Sequence, residues 1–101
     1  MYRGTTPTLT FKLNTDIDLS ALEEVWITIK GNDKEKTYTI DDVFVESEEK
    51  SIILSMTQTD TLYFGAGRHN VQIRLRTDDG NAYASNIKQI NLDYILKDGV
   101  I

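Results

Sequence analysis

The chain has 101 residues, 40% of them hydrophobic and 27% charged, which is typical of one folded globular domain and excludes disorder. Its formal net charge is -5, and the only close group of bases is Lys30, Lys34 and Lys36. This argues against nucleic-acid binding, which depends on clustered lysine and arginine side chains. Cysteine is absent, which excludes disulfides and zinc–thiolate sites, and no apolar run approaches the roughly 20 residues that span a bilayer.

The N-terminal part is predicted to form a β-strand, because apolar and polar residues alternate with a period of two. This first strand, over residues 8–13, directs Leu9, Phe11 and Leu13 to one face. Proline has no N–H to donate, so Pro7 predicts that the strand lies at a sheet edge, where another chain could pair.

The second strand, over residues 25–30, follows a capping-box pattern at Ser20 and Glu23 that predicts one helical turn. Positions 25, 27 and 29 are aliphatic, so Trp26 and Thr28 are predicted to lie on the opposite face, away from the core. An exposed tryptophan is typical of protein interfaces and of sugar-stacking sites, whereas covering loops would make it structural. The sequence leaves these three interpretations of Trp26 open.

The middle of the chain continues as short strands, predicted over residues 36–40, 43–45 and 51–56. A second capping-box pattern, at Thr57 and Asp60, predicts another helical turn.

Residues 69–76 form the clearest strand, with aliphatic side chains at every second position. The Asp-Gly-Asn sequence at 79–81 supplies the positive φ angles of a tight hairpin turn. In the return strand the alternation shifts near residues 86–89, which predicts a β-bulge or bend.

These elements amount to about seven short strands with turn signals between them, and no helix longer than a turn or two. The sequence therefore predicts a single all-β domain over residues 1–101, an Ig-like antiparallel β-sandwich. A small β-barrel is the alternative.

One acidic pattern resembles a metal site. Asn14, Asp16 and Asp18 have the spacing of the first calcium ligands of an EF-hand loop. Leu19 and Val25 stand where that loop needs glycine and glutamate, so no metal site is predicted.

The candidate catalytic and phosphate-binding motifs are also incomplete. The carboxylate pairs at 41–42 and 78–79 lie in predicted solvated turns, and His69, expected at the surface or at a strand end, has no nucleophile motif to serve. The glycines at 65 and 67 precede a strand rather than the helix of a phosphate-binding loop. We therefore predict no catalytic residue, no cofactor and no enzymatic activity.

The C-terminal stretch is unusually apolar on both faces, where a last edge strand is normally polar. Its candidate partner-binding residues are Tyr94, Leu96, Val100 and Ile101. They would either cover an open end of the sandwich or dock on a partner, by strand addition or through an apolar patch. With Trp26 and Thr28, they are the predicted partner-binding residues.

No signal-peptide pattern opens the chain, so we expect synthesis in the cytoplasm without export by that route.

Several stretches carry a resemblance to a known group of proteins: residues 3–8, 24–28, 54–64, 71–76 and 82–86. They resemble small proteins of phages and prophages of Firmicutes, often encoded near tail genes. More distantly, the chain is similar to the N-terminal β-sandwich of upper baseplate proteins.

The resemblance implies a non-enzymatic structural protein of the tail or baseplate, incorporated in the virion. Its partners would be other phage structural proteins or further copies of itself. A carbohydrate-binding module that uses exposed aromatics is the alternative, and neither interpretation includes a nucleic-acid or membrane partner.

Overall fold

A computed structural model describes residues 1–13 and 16–101. Within these residues the chain forms eight strands, one α-helix and two 3₁₀ turns. In chain order they are β1 Thr8–Lys12, a turn Leu19–Ala21, β2 Leu22–Gly31, β3 Lys34–Tyr38, a turn Ile40–Asp42, β4 Phe44–Glu46, β5 Ser51–Ser55, α1 Gln58–Phe64, β6 Gly67–Thr77, β7 Ala82–Ala84 and β8 Lys88–Leu92.

The strands form two antiparallel sheets. The smaller sheet has the order β1-β5-β4, and the larger has the order β3-β2-β6, with β7 and β8 both paired to β6. Both sheets are open, so the predicted all-β sandwich is confirmed and the barrel alternative is wrong. The strands number eight rather than about seven because the predicted return strand is divided into β7 and β8.

That division follows from the predicted bulge. Between the pairs Arg74–Ala84 and Val71–Lys88, β6 advances by three residues and its partner by four. Ser85 fills the gap: its N–H donates to the Ile73 carbonyl at 2.9 Å, and its hydroxyl accepts from the Ile73 N–H at 3.1 Å. The edge is therefore interrupted without leaving Ile73 unpaired.

The core lies between the sheets and follows the period-two pattern. β2 and β6 are joined along most of their length, and their inward side chains pack against those of β5. Each fully buried aliphatic side chain contributes about 1.5–3 kcal/mol. The most completely buried aliphatic residues of these strands are Val25, Ile27, Ile29, Ile52, Leu54 and Ile73.

The two predicted capping boxes have different outcomes. Thr57 caps α1 as expected, and its hydroxyl accepts from the Asp60 N–H at 3.1 Å. In the first turn, however, the cap is Asp18, whose carboxylate accepts from the Ser20 N–H at 3.0 Å. Ser20 lies inside the turn, because an aspartate at this position caps at least as well as a serine.

The first residues pair with the last strand before they enter β1. Tyr2 forms a parallel bridge with Asp93, whose N–H donates to the Met1 carbonyl at 2.7 Å. Gly4, with φ +71°, then turns the chain towards the smaller sheet. β1 is the edge strand that Pro7 predicts.

Gly31 owes its identity to a close approach. A Cβ at this position would lie 2.5 Å from His69 Nδ1 and 2.9 Å from the Arg68 carbonyl oxygen. The Gly31 φ is not positive, so the constraint is steric.

We expect Gly31→Ala to lower the free energy of unfolding by about 1–3 kcal/mol through overpacking. Combining it with His69→Ala should recover at least about 0.5 kcal/mol relative to the sum of the single variants, because the imidazole is the nearest obstacle. Urea denaturation followed by circular dichroism measures both values.

Gly80→Ala is the matched control. Gly80 has φ +86°, and a Cβ added there would meet no atom within 4 Å, so its loss arises from the backbone alone. Two results would contradict the steric explanation. One is that His69→Ala does not reduce the loss of unfolding free energy caused by Gly31→Ala, and the other is that it reduces the loss caused by Gly80→Ala.

Candidate interaction surfaces

One carboxylate of each turn pair completes local hydrogen bonds. Asp42 accepts from the Thr39 N–H at 2.9 Å, and Asp79 accepts from the Thr77 hydroxyl and the Asn81 N–H. The Thr77 hydroxyl, followed by the Asn81 N–H, holds the pKa of Asp79 below its ordinary value. These contacts give both residues a structural role in closing turns.

The structure describes only part of the acidic pattern at residues 14, 16 and 18. Asn14 lies outside the described residues. The Asp18 carboxylate accepts from both the N–H and the hydroxyl of Ser20, which lowers its pKa. Asp18 thus serves as a helix cap.

His69 is near the start of β6 but is buried, with 1% of its surface exposed. Of the two expected locations, the strand end is therefore right and the surface is wrong. Its Nε2 lies 2.9 Å from the Gly65 carbonyl oxygen, which requires an Nε2–H donor, and its ring packs edge-on against Phe64 at 5.5 Å. The period-two pattern of β6 could have placed His69 on the inner face with Val71 and Ile73.

A second buried polar group joins α1 to β3. One Asp60 carboxylate oxygen accepts from Lys36 Nζ at 2.7 Å, and the other accepts from the Thr57 N–H at 2.9 Å. Burial raises the pKa of Asp60, but Lys36 and Thr57 outweigh it, so the pKa lies below its ordinary value. Burial, followed by the negative charge of Asp60, raises the pKa of Tyr38. This cluster anchors the helix to the sheet edge.

Trp26 lies on the outer face of the larger sheet, as its position in the strand predicts. Its side chain is half-exposed, at 49%, and the Arg74 guanidinium carbon lies 5.7 Å from the ring centroid. Glu24 and Arg76 line a shallow depression of about 190 Å³ beside the ring. An aromatic ring flanked by one carboxylate and two guanidiniums is therefore accessible from solvent.

Thr28 shares that face but is engaged with its neighbour. Its hydroxyl lies 3.0 Å from the Thr37 hydroxyl across the β2–β3 pair. Such cross-strand threonine pairs stabilise a sheet surface, so the Thr28 side chain has a structural contact of its own.

The C-terminal apolar segment, residues 94–101, runs past α1 and the N-terminal residues. Arg3 holds it through an ion pair to Asp98 at 3.0 Å, and Gln58 exchanges two hydrogen bonds with the Ile101 backbone. Ile95 lies against Gly4 and is partly buried. The segment is thus tied to the domain through its polar groups and one isoleucine.

The predicted partner-binding side chains of this segment point to solvent. Tyr94, Leu96, Val100 and Ile101 are exposed, from 64% for Val100 to 108% for Leu96. The segment therefore leaves these four side chains uncovered. They lie on a different element from Trp26 and Thr28, so the predicted residues are divided between two surfaces.

A third surface, which we call the open flank, lies between β1 of one sheet and β8 of the other. It is a groove of about 470 Å³ whose apolar lining includes Leu9, Phe11, Val71, Ile73 and Ile90. Leu9 and Phe11 are only partly buried, because no strand of the described residues covers this side of β1. Alternation predicts strand β1, and Pro7 predicts its position at a sheet edge. The groove could not be predicted in this way, because it depends on the distance between two sheets.

None of the described helices is both long enough and apolar enough to cross a membrane. Comparisons with protein-family models, with curated proteins and with solved structures found no match. The geometry of these surfaces and the sequence resemblance are therefore the grounds for a functional proposal.

We expect Asp60→Asn to lower the free energy of unfolding by about 1 kcal/mol at neutral pH, through loss of the charge-assisted capping contacts. Since the folded-state pKa of Asp60 lies below the ordinary value of about 4, its stabilisation is present above that pH. It is lost as the pH falls through the folded-state pKa. The difference between wild type and variant should therefore narrow on acidification.

Urea denaturation at a series of pH values from about 7 to 2.5 measures this difference. Asp41→Asn, at an exposed carboxylate in the second 3₁₀ turn, is the control and should stay within about 0.5 kcal/mol of wild type. A wild-type advantage over Asp60→Asn that grows on acidification would contradict the prediction.

Proposed function

We propose that this chain is a non-enzymatic interaction domain of a phage or prophage particle, associated with the tail or baseplate. The observation that carries the proposal is the C-terminal apolar segment, which exposes Tyr94, Leu96, Val100 and Ile101. Four exposed apolar side chains within one eight-residue segment are a concentration typical of sites that bind other proteins.

The way the segment is held supports this role. Arg3 and Gln58 fix its polar groups, so its apolar side chains are presented on a positioned backbone rather than on a free tail. The segment would then lose less conformational entropy on binding a partner than a disordered segment would. A modest contact of this kind gains strength when it is repeated around a symmetric particle.

The phage context rests on the sequence resemblance, whose stretches are spread over nearly the whole chain and are structural only. Asp42, Asp79 and His69 are engaged in hydrogen bonds that stabilise the fold. These contacts support a structural role over a catalytic one.

We expect Leu96→Ser combined with Val100→Ser to abolish retention by the partner tail protein while leaving the fold intact. Both side chains are exposed, so the free energy of unfolding should change by no more than about 0.5 kcal/mol per substitution. The measurement is co-expression with each neighbouring tail protein, followed by size-exclusion chromatography with light scattering.

Phe44→Ser is the matched control, because Phe44 is also a large apolar side chain, 61% exposed, and is located on β4. It should leave the complex unchanged. Mass spectrometry of purified particles should also detect the wild-type chain. A chain that no tail protein retains, and that is missing from the particles, would refute the proposal.

A carbohydrate-binding module is the second candidate, favoured by the environment of Trp26. Trp26 is 49% exposed, and the Arg74 guanidinium lies beside its ring. Two further polar side chains line the same depression: Arg76, which is paired with Glu23, and Glu24, whose Oε1 accepts from two backbone N–H groups. Stacking of an aromatic ring on a sugar with adjacent polar groups is a common arrangement in glycan sites.

If Trp26 binds glycans, Trp26→Ala should abolish binding on a glycan array, and Thr28→Ala should not, because Thr28 is paired with Thr37. As the only tryptophan, Trp26 also reports its own environment. We expect a red-shifted emission that acrylamide quenches readily. Array binding that survives Trp26→Ala would remove this candidate.

A further inference from the structure

Three of the four sheet edges carry features that block pairing with another chain. The β3 edge has Lys34, Glu35 and Lys36 in succession, and Tyr63 of α1 donates to the Glu35 carbonyl at 3.4 Å. The β4 strand has only three residues.

The edge formed by β7 and β8 is interrupted by the bulge at Ser85, and Arg3 and Met1 pair with Asp93 at its far end. Charged residues, short strands, bulges and covering segments are the usual protections against edge pairing. β1 is the remaining edge; it carries one charged residue, Lys12, and Pro7 lies before its first residue.

β1 presents a regular set of outward-facing backbone groups. The Leu13 N–H donates to the Lys50 carbonyl and the Met56 N–H donates to the Pro7 carbonyl, which places the hydrogen-bonded pairs with β5 at odd-numbered positions of β1. In an antiparallel ladder the alternate residues then turn their N–H and C=O groups away from β5. These residues are Thr8, Thr10 and Lys12.

We infer that β1 pairs with β1 of a second copy of this chain, antiparallel and about a two-fold axis at Thr10, to form a continuous sheet across a dimer. This deepens the proposed interaction role by naming one partner, and it rests on that role. The interface is isologous, so the same strand must be complementary to itself.

The register at Thr10 meets that requirement. It opposes Thr8 to the partner copy's Lys12 and Thr10 to the partner copy's Thr10, so no like charges face each other. All five residues of β1 are paired, with about six backbone hydrogen bonds formed by the outward groups. A two-fold axis at Leu9 or Phe11 would pair fewer residues.

The same register uses the apolar face of the strand. Leu9 stands opposite the partner copy's Phe11 in a non-hydrogen-bonded pair, where side chains approach most closely. Both are only partly buried in the monomer and line the open flank. Dimer formation would therefore cover apolar surface that the sandwich itself leaves accessible.

The dimer should be weak on its own. A ladder of this length buries less than the roughly 1,200 Å² of a stable specific interface, so its dissociation constant should lie in the micromolar range or above. We expect the average mass in analytical ultracentrifugation to rise from monomer towards dimer with concentration. The Thr10 amide should also exchange with solvent about tenfold more slowly in the dimer.

Thr10→Pro is the direct test, because proline removes an N–H that points away from β5 and leaves the β1–β5 ladder bonded. It should be monomeric at every concentration. Thr10→Val, which keeps the N–H and a β-branched side chain, is the matched control and should dimerise as the wild type does. Circular dichroism establishes that both variants are folded.

A charge exchange tests the register independently of proline. Thr10→Lys and Thr10→Glu each place like charges opposite each other at the two-fold axis, so each alone should be monomeric. An equimolar mixture places lysine opposite glutamate and should restore the dimer. A mixture that stays monomeric, or a Thr10→Pro variant that dimerises, would overturn the inference.

This test is separable from that of the proposed function. A wild-type chain that is monomeric at all concentrations but is retained by a tail protein through Leu96 and Val100 overturns the β1 dimer alone. A chain that dimerises through Thr10 but is missing from particles and retained by no tail protein supports the dimer and refutes the role in the particle.

Discussion

The antiparallel pairing of β2 with β6 is the interaction on which the rest of the structure depends. It joins Leu22 through Lys30 to residues 70–77 and sets the inward-facing positions of both strands together. With these aliphatic side chains on one face, the smaller sheet has a surface to pack against, and Trp26 and Arg74 are placed side by side on the other face. The pairing of β2 with β6 thus determines both the composition of the core and the exposed position of Trp26.

The unequal size of the two sheets accounts for the accessible apolar surface. The larger sheet is extended by β7 and β8 along β6, whereas the smaller sheet ends at β1. β1 consequently has no neighbour on its outer side among the described strands, and Leu9 and Phe11 stay partly buried. The open flank is therefore a consequence of the strand order among the described residues.

Strand positions could be predicted because period-two alternation is a local property that tertiary packing reinforced, as for β2 and β6. The cap of the first turn could not be predicted from the sequence, because both Asp18 and Ser20 have side chains that can cap a helix. In the structure Asp18 is the cap. The alternation of β6 indicates that His69 lies on the inner face, but the close approach of its ring to Gly31 on the neighbouring strand could not be predicted from the local pattern. The groove could not be predicted, because it lies between residues far apart in sequence, such as Phe11 and Ile90.

The parallel pairing of the first residues with the end of β8 has a mechanical consequence. Arg3 N–H donates to the Asp93 carbonyl at 3.1 Å, and Asp93 N–H donates to the Met1 carbonyl at 2.7 Å. When a force pulls the N-terminus and the C-terminus in opposite directions, the two parallel segments must slide past each other. Their hydrogen bonds, together with the Arg3–Asp98 ion pair, then share the load instead of opening one after another.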